Sequence, residues 1–375
     1  MRKSKRPGEP EHAAGNGLLD RRLFLTAGVA TIGSAALPEK TGAAEALPVE
    51  PWMKTPGSPF TPYGQPSKYA GKIARTFASA PGTTGTGSSR TPHHLLDGTI
   101  TPNGLHFERH HNGIPDINPE AHRLLIHGLL SCAEWTGVRL ATLLEEAGVE
   151  PNAQWILAEG ADSASMSRSV PLAKAMDDAI VAIYQNGEPV RPSNGYPMRL
   201  LLPGYEGNMN VKWLRRIKLT EGPTMTKDET SKYTILLNDG KSLQFCFALE
   251  AKSMITRPSP GLTMGAPGLY EITGLAWSGY GRIAKVEVSA DGGASWALAA
   301  LQEPVLPKSV TRFRLPWRWD GGPAVLQSRA TDDSGYVQPS RSKLIADRGA
   351  RGNYHFNGIT SWGVAQGGEV KHVYA

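Results

Sequence analysis

Two groups of residues in this sequence carry chemistry beyond that of ordinary surface side chains. The first is Phe107-Glu108-Arg109-His110-His111-Asn112-Gly113-Ile114-Pro115, where Arg109 stands two residues before a histidine. A guanidinium is a permanent cation with a planar fork of donors, so Arg109 is suited to holding an anion. His106 and His110 are four apart, a spacing that could suggest zinc. No H-E-x-x-H and no cysteine pair accompanies them, which argues against that metal. The second group is Asn186-Gly187-Glu188-Pro189-Val190-Arg191-Pro192, Gly195-Tyr196-Pro197-Met198-Arg199-Leu200, Pro203-Gly204 and Gly207 through Val211-Lys212-Trp213-Leu214. Its Gly and Pro punctuation makes strand ends that can present backbone N–H groups and fixed cations to a phosphate and a polar heterocycle. Taken alone, Arg199 and Lys212 would be read as solvated surface charges. Cys132 and Cys246 are the only cysteines, so one intramolecular disulfide is the ceiling. Burial as small apolar side chains is the expectation for both.

The elements that must position these residues fall into two domains behind a targeting segment, the division that 375 residues suggests. Residues 1–46 read as a leader: Arg2, Lys3, Lys5 and Arg6 precede Asp20-Arg21-Arg22-Leu23-Phe24-Leu25 and a mildly apolar run to Leu37. Twin arginines before x-Phe-Leu match a signal for export of already folded proteins by the Tat route, and Ala44-Glu45-Ala46 offers a cleavage site. The apolar run is interrupted by Thr26, Gly28, Thr31, Gly33 and Ser34 and is too short for a membrane span. Residues 47–104 read as an extended arm rich in Pro, Gly, Ser and Thr.

From 105 to 260 the pattern is mixed. Strands are expected at Leu105 to His111, His122 to His127, Trp155 to Ala158, Ile180 to Tyr184, Met198 to Leu202 and Arg216 to Leu219. Helices are expected at Val138 to Ala147, with Leu140, Leu143, Leu144 and Ala147 on one face and Gly148 as C-cap, and around Leu172 to Asp177. Residues 261–375 change to short alternating strands, Tyr270 to Trp277, Ala284 to Ser289, Trp296 to Leu301, Thr311 to Pro316 and Ala324 to Asp332, with a hairpin signal at Asp291-Gly292-Gly293. The fold class is therefore α+β, with an all-β sandwich of immunoglobulin-like type after the mixed domain. Without the leader's seven Lys and Arg and five Asp and Glu, the formal charge falls from +6 to +4. With no run of like charge, nucleic-acid binding is not suggested, whereas a small anionic substrate is compatible.

The Asn186–Leu214 stretch resembles the pterin-binding core of the sulfite oxidase family of molybdopterin oxidoreductases. The resemblance extends to Ile272-Thr273-Gly274-Leu275-Ala276-Trp277 with Val286 to Trp296, which is similar to that family's dimerisation domain. Leu315-Pro316-Trp317-Arg318-Trp319, Gln327-Ser328-Arg329-Ala330 and the arm motifs Thr91-Pro92-His93-His94 and Thr99 to Gly104 are similar to its sulfane dehydrogenase branch. The resemblance implies that His111, Asn194, Arg199 and Lys212 contact the pterin, with Asn194 standing where many members have histidine. It implies that Arg109, Tyr233 in Glu229-Thr230-Ser231-Lys232-Tyr233, and Arg348 in Asp347-Arg348-Gly349 form the substrate side. It further implies molybdenum and molybdopterin as cofactors and oxidation of sulfite or protein-bound sulfane sulfur. A c-type cytochrome would accept the electrons, in a periplasmic homodimer or heterotetramer with no membrane span after cleavage.

One departure bears on the metal. The family places a strand and a C-A-G-N-type loop, whose cysteine ligates molybdenum, just after the segment matching His122 to Gly128. Here Ile126-His127-Gly128 runs directly into Leu129-Leu130-Ser131-Cys132-Ala133-Glu134-Trp135. By position Cys132 is not that ligand, since Ala133-Glu134-Trp135-x-Gly137 matches the family segment downstream of the loop, and no protein ligand to the metal is assigned. A thiolate is a soft, directional donor that a neighbouring side chain does not replace. The second expectation is therefore a non-catalytic homologue that keeps the fold and partner surface.

Overall fold

The computed structural model describes residues 13–19, 75–79, 87–96, 98–110, 131–162, 166–350 and 356–374. His111, the expected strand at His122 to His127 and the Gly128 junction lie outside them.

The first domain is built on two small antiparallel sheets. In one, the Trp155–Gly160 strand lies between Ser167–Pro171 and Leu214–Thr220. In the other, Ile180–Gln185 pairs with Trp135–Arg139, Glu188–Pro189 and Arg199–Leu201. Two helices, Leu140–Ala147 and Leu172–Asp177, close the apolar side. Leu140, Leu144, Ile156, Val170, Leu200, Leu202, Met209 and Trp213 form its core. The first helix starts two residues later than its sequence pattern indicates, because Val138 and Arg139 end the Trp135–Arg139 strand. Leu140 and Leu144 are buried as expected, but Leu143 and Ala147 face outward. Gly148 terminates the helix at φ +80°, a backbone angle that costs glycine little.

The second domain is a two-layer β-sandwich. One sheet has the order Lys252–Arg257, Gly268–Trp277, Thr311–Trp319, Ala300–Leu301; the other runs Ala297–Leu298, Ile283–Ser289, Ala324–Asp332, Ser361–Val364, Val370–Val373. Inward residues alternate along the strands, as a sandwich requires. Ile272, Val286, Val288, Phe313, Leu315, Trp317 and Leu326 meet between the layers. The Lys252–Arg257 strand precedes the change of texture at 261. The single strand expected at Trp296 to Leu301 is two short ones that join opposite sheets. The Arg341–Arg348 helix and the last two strands were not among the expected elements.

Part of the expected arm is ordered structure. Thr76–Ser79, Gly87–Arg90 and Glu108–His110 form a three-stranded antiparallel sheet, preceded in the third case by a 3-10 turn at Asn103–Leu105. Residues 13–19, inside the expected leader, are seated on the sandwich.

Candidate cofactor and substrate site

A cavity of about 780 Å³ opens where the two domains meet. His106, Cys132, Trp135, Arg199 and Tyr233 contribute from the N-terminal side, and Glu250, Trp277, Lys308 and Ser309 from the C-terminal side.

At one end, four polar side chains converge, of which His106 and Arg199 line the cavity and Asn194 and Lys212 do not. Arg199, at the start of its strand, donates to the Asn194 carbonyl at 2.9 Å, and Lys212 donates to the Ser193 carbonyl at 2.6 Å. Both carbonyls belong to the short 3-10 turn Pro192–Asn194, whose shape is set by Pro192 at its first position and Gly195 beyond its end. The Trp213 indole N–H also closes onto this turn, at the Pro192 carbonyl, 3.1 Å away. Asn194 Nδ2 lies 3.3 Å from the imidazole of His106. His106 Nδ1–H donates to the Phe107 carbonyl at 3.0 Å, which leaves Nε2 to accept from the Ser131 hydroxyl at 2.6 Å. Arg199 stacks on the Trp135 face, its guanidinium carbon 4.5 Å from the ring centre.

The electrostatics of this end are unusual. Arg199 and Lys212 are both buried, at 6% and 2% exposure, and their hydrogen-bond acceptors are neutral carbonyls. Burial pushes the Lys212 ammonium down to about 7, with the Arg199 charge adding to the effect, and burial alone pushes Arg199 down to about 9. Burial likewise holds His106 at about 3, so it is a neutral ring at physiological pH. Arg199 Nε and Asn194 Oδ1 are buried with no hydrogen-bond partner. Two desolvated cations with an unfilled donor are suited to holding an anionic group.

The substrate-side residues divide differently. Tyr233 lines the cavity at φ +49°, with the guanidinium of Arg168 5.2 Å from its ring centre. Arg168 is itself buried beside Glu229, which also accepts from the Ser169 backbone and hydroxyl. Arg348 is not in the wall. As the last residue of its helix it ion-pairs with Glu250, which is. Arg109 lies in the Glu108–His110 strand opposite Ser88, and its side chain is outside the described residues.

The expectation that both cysteines are buried packing residues holds only for Cys246. Cys132 is partly exposed and in the cavity wall, its Sγ 3.4 Å from the Ser309 hydroxyl. It is held there by its own backbone, which exchanges hydrogen bonds with Thr101. Both thiols are free, and no cluster of three metal-binding side chains occurs among the described residues.

Asn194, Arg199 and Lys212 are thus brought together, Tyr233 lines the same cavity as Arg199, and Arg348 contacts the wall through Glu250. His106 and Trp135 were missed as parts of the cluster. The sequence offered His106 only as half of a zinc-like spacing, and Trp135 only as part of the segment following the junction.

Comparison with known proteins agrees with this geometry. Residues 112–227 match the model of the oxidoreductase molybdopterin binding domain, and residues 244–360 that of the Mo-co oxidoreductase dimerisation domain. The crystal structure of the sulfane dehydrogenase SoxCD from Paracoccus pantotrophus superposes with a TM-score of 0.79 at 39% identity, covering 87% of this chain and 97% of that one. Mitochondrial sulfite oxidase of Drosophila melanogaster is 29% identical over 342 residues, covering 70% of this chain and 59% of its own length. The human enzyme is 28% identical over 326 residues, 66% of this chain and 59% of its own. This chain therefore spans less than two thirds of those curated relatives.

Proposed function

The chain belongs to the sulfite oxidase family of molybdopterin oxidoreductases, and from that premise we propose that it oxidises sulfite or protein-bound sulfane sulfur and passes the electrons to a c-type cytochrome. Its cofactor is molybdenum held by molybdopterin. The observation that carries the reading is the pair of buried cations, Arg199 and Lys212, whose hydrogen bonds among the described residues go to neutral carbonyls. A phosphate-bearing pterin would bring negative charge to these cations and an acceptor for Arg199 Nε. The residues present fit the pterin: Arg199 and Lys212 would hold the phosphate end, and Asn194 with the neutral His106 ring would offer hydrogen bonds to the heterocycle. When bound, the group supplies two-electron redox chemistry at sulfur.

The protein's own part is to bind, orient and charge-stabilise the anion. In the proposed arrangement Arg109 supplies a fixed positive charge, and Tyr233 offers a phenolic hydroxyl at the cavity wall. Arg348 bears on the substrate indirectly. Its ion pair neutralises Glu250, which would otherwise repel an incoming anion from the wall.

The SoxCD likeness supports a cytochrome-bearing assembly, and the match to a dimerisation domain supports an immunoglobulin-like sandwich that pairs chains. The twin-arginine leader supports export to the periplasm of a protein folded around its cofactor. One sequence feature favours a second reading, a homologue without turnover: the direct run from Gly128 to Leu129 where the family has its cysteine loop. Pterin and molybdenum content together with sulfite-dependent reduction of cytochrome c separate the two. Pterin bound with turnover supports the enzyme. Pterin bound with background rates supports the second reading. Absence of pterin from protein made in a host that synthesises it refutes the enzyme reading.

A further inference from the structure

The segment Ala13–Leu19 has no role in the site, yet it is built into the sandwich. Leu18 is fully buried in the core between the two sheets, and Leu19 is 4% exposed. Leu18 bridges Trp317 in antiparallel fashion; the Arg318 amide donates to the Gly17 carbonyl at 2.8 Å, and the Leu19 amide to the Pro316 carbonyl at 3.1 Å. This is strand addition at a sheet edge. One edge of Thr311–Trp319 is taken along its length by Gly268–Trp277, while Ala300–Leu301 covers only Phe313 and Arg314 of the other. The incoming segment continues that second edge over Pro316–Arg318.

Side chains and turn geometry fix the register. The Trp317 indole N–H donates to the Asn16 carbonyl at 2.7 Å, and Asn16 Nδ2 donates to the Ala290 carbonyl of the opposite sheet at 2.8 Å. The Gly15 amide donates to Ser295 Oγ at 2.7 Å. Asn16 and Gly17 both have positive φ, +55° and +86°, the pair of residues that tolerates a left-handed turn best. A Cβ on Gly17 would collide with the Arg318 carbonyl oxygen. Arg21 and Arg22 follow Leu19 by two and three positions.

We propose that the edge of the Thr311–Trp319 strand is a docking site for the chain's own N-terminal segment, which seats the unprocessed export leader on the folded sandwich. The leader half of this statement rests on the reading given under the proposed function. The occupant is fixed by the complementarity just described: a small-residue turn, two buried leucines and three side-chain hydrogen bonds to both sheets. Docking exists only once both sheets have formed. The twin arginines are then carried on a domain whose folding is complete, and cleavage after Ala46 strips a strand from the sandwich.

Amide hydrogen exchange on the full, unprocessed chain tests this. The Leu19 and Arg318 amides are expected to exchange at least tenfold more slowly in the natural sequence than in Gly17→Val. Amides of the Gly268–Trp277 strand should be unchanged, as the check that the sandwich is intact. Asn16→Ala, which removes the contact to Ala290 and permits the fold, should give a smaller acceleration at the same two amides. Equal exchange of Leu19 and Arg318 in all three proteins, with Gly268–Trp277 protected throughout, overturns the docking. The leader reading fails separately: slow exchange at Leu19 together with normal export of Arg21→Lys/Arg22→Lys refutes the leader and leaves the docked strand.

Discussion

Replacing Lys212 by Met gives the sharpest test of the idea that the cluster awaits an anion. In the unfolded chain a lysine titrates near 10.5, whereas burial holds Lys212 at about 7 in the fold. The unfolded state therefore binds this proton more tightly. The resulting penalty on folding is fully present below pH 7, shrinks as pH rises, and is gone above about 10.5. The gap corresponds to about 5 kcal/mol at most. Removing the ammonium relieves that penalty but leaves the Ser193 carbonyl without its donor, which costs about 1–3 kcal/mol. The cofactor-free protein should thus gain about 2–4 kcal/mol at pH 6 in Lys212→Met and much less at pH 9. Urea unfolding of protein made in a host lacking the pterin measures this, and a second preparation from a competent host should lose most of its pterin. A Lys212→Met protein that is less stable than the parent at pH 6, or one that retains pterin fully, would refute the reasoning.

The other predictions concern separate parts of the molecule. Arg348→Ala and Tyr233→Phe should keep pterin and, in an active enzyme, lower kcat/KM by on the order of 10²; loss of pterin in either would move that residue into the cofactor cradle. Arg21→Lys/Arg22→Lys should leave the chain in the cytoplasm, and normal periplasmic yield would remove the export reading. Cys132→Ser should leave molybdenum per pterin unchanged and below one in both proteins, because the family's ligating cysteine loop is absent and Cys132 does not stand at its position. A stoichiometric ratio that collapses in the mutant would make Cys132 the ligand.

What the sequence disclosed follows from how far each signal reaches along the chain. The Asn186–Leu214 stretch was legible because its turn residues, its two cations and its strand are contiguous, so local backbone chemistry places Asn194, Arg199 and Lys212 together. His106 escaped since its partners Ser131 and Asn194 lie 25 and 88 residues away, a separation that no periodicity reports. The same holds for Arg348: a charged residue closing an amphipathic helix gives no hint of Glu250, 98 positions earlier. Ala324–Asp332 was read to the residue, since turn residues bound it on both sides, Gly321-Gly322-Pro323 before and Ser334-Gly335 after. Ser167–Pro171 was not, because Arg168 occupies one of its buried positions and breaks the pattern. The buried arginine is tolerated through Glu229 and the Tyr233 ring, so tertiary chemistry overrode the local rule at a residue behind the cavity wall.

The cavity belongs to neither domain alone, and the contacts that close it are of two kinds. Polar contacts tie side chains across the boundary: Lys308 of the sandwich donates to Asp178 at 2.6 Å, and Ser309 meets Cys132. Backbone contacts set the separation. Gly204 and Gly279 pack back to back, and a Cβ on either would strike the carbonyl oxygen of the other. The Leu249 amide donates to the Gly204 carbonyl at 2.9 Å, and the Gly279 amide to that of Leu249 at 2.6 Å. A hydrogen-bonded chain of backbone therefore runs from the wall bearing Leu202–Gly204 to the sandwich, with no side chain between to act as a spacer. Such a joint is stiff, since backbone cannot change rotamer, whereas the Lys308–Asp178 pair is partly exposed and contributes little. The position of Glu250 and Lys308 relative to Arg199 is then fixed mainly by two glycines that carry no charge themselves. The electrostatic character of the site depends on close packing that carries no electrostatic signature of its own.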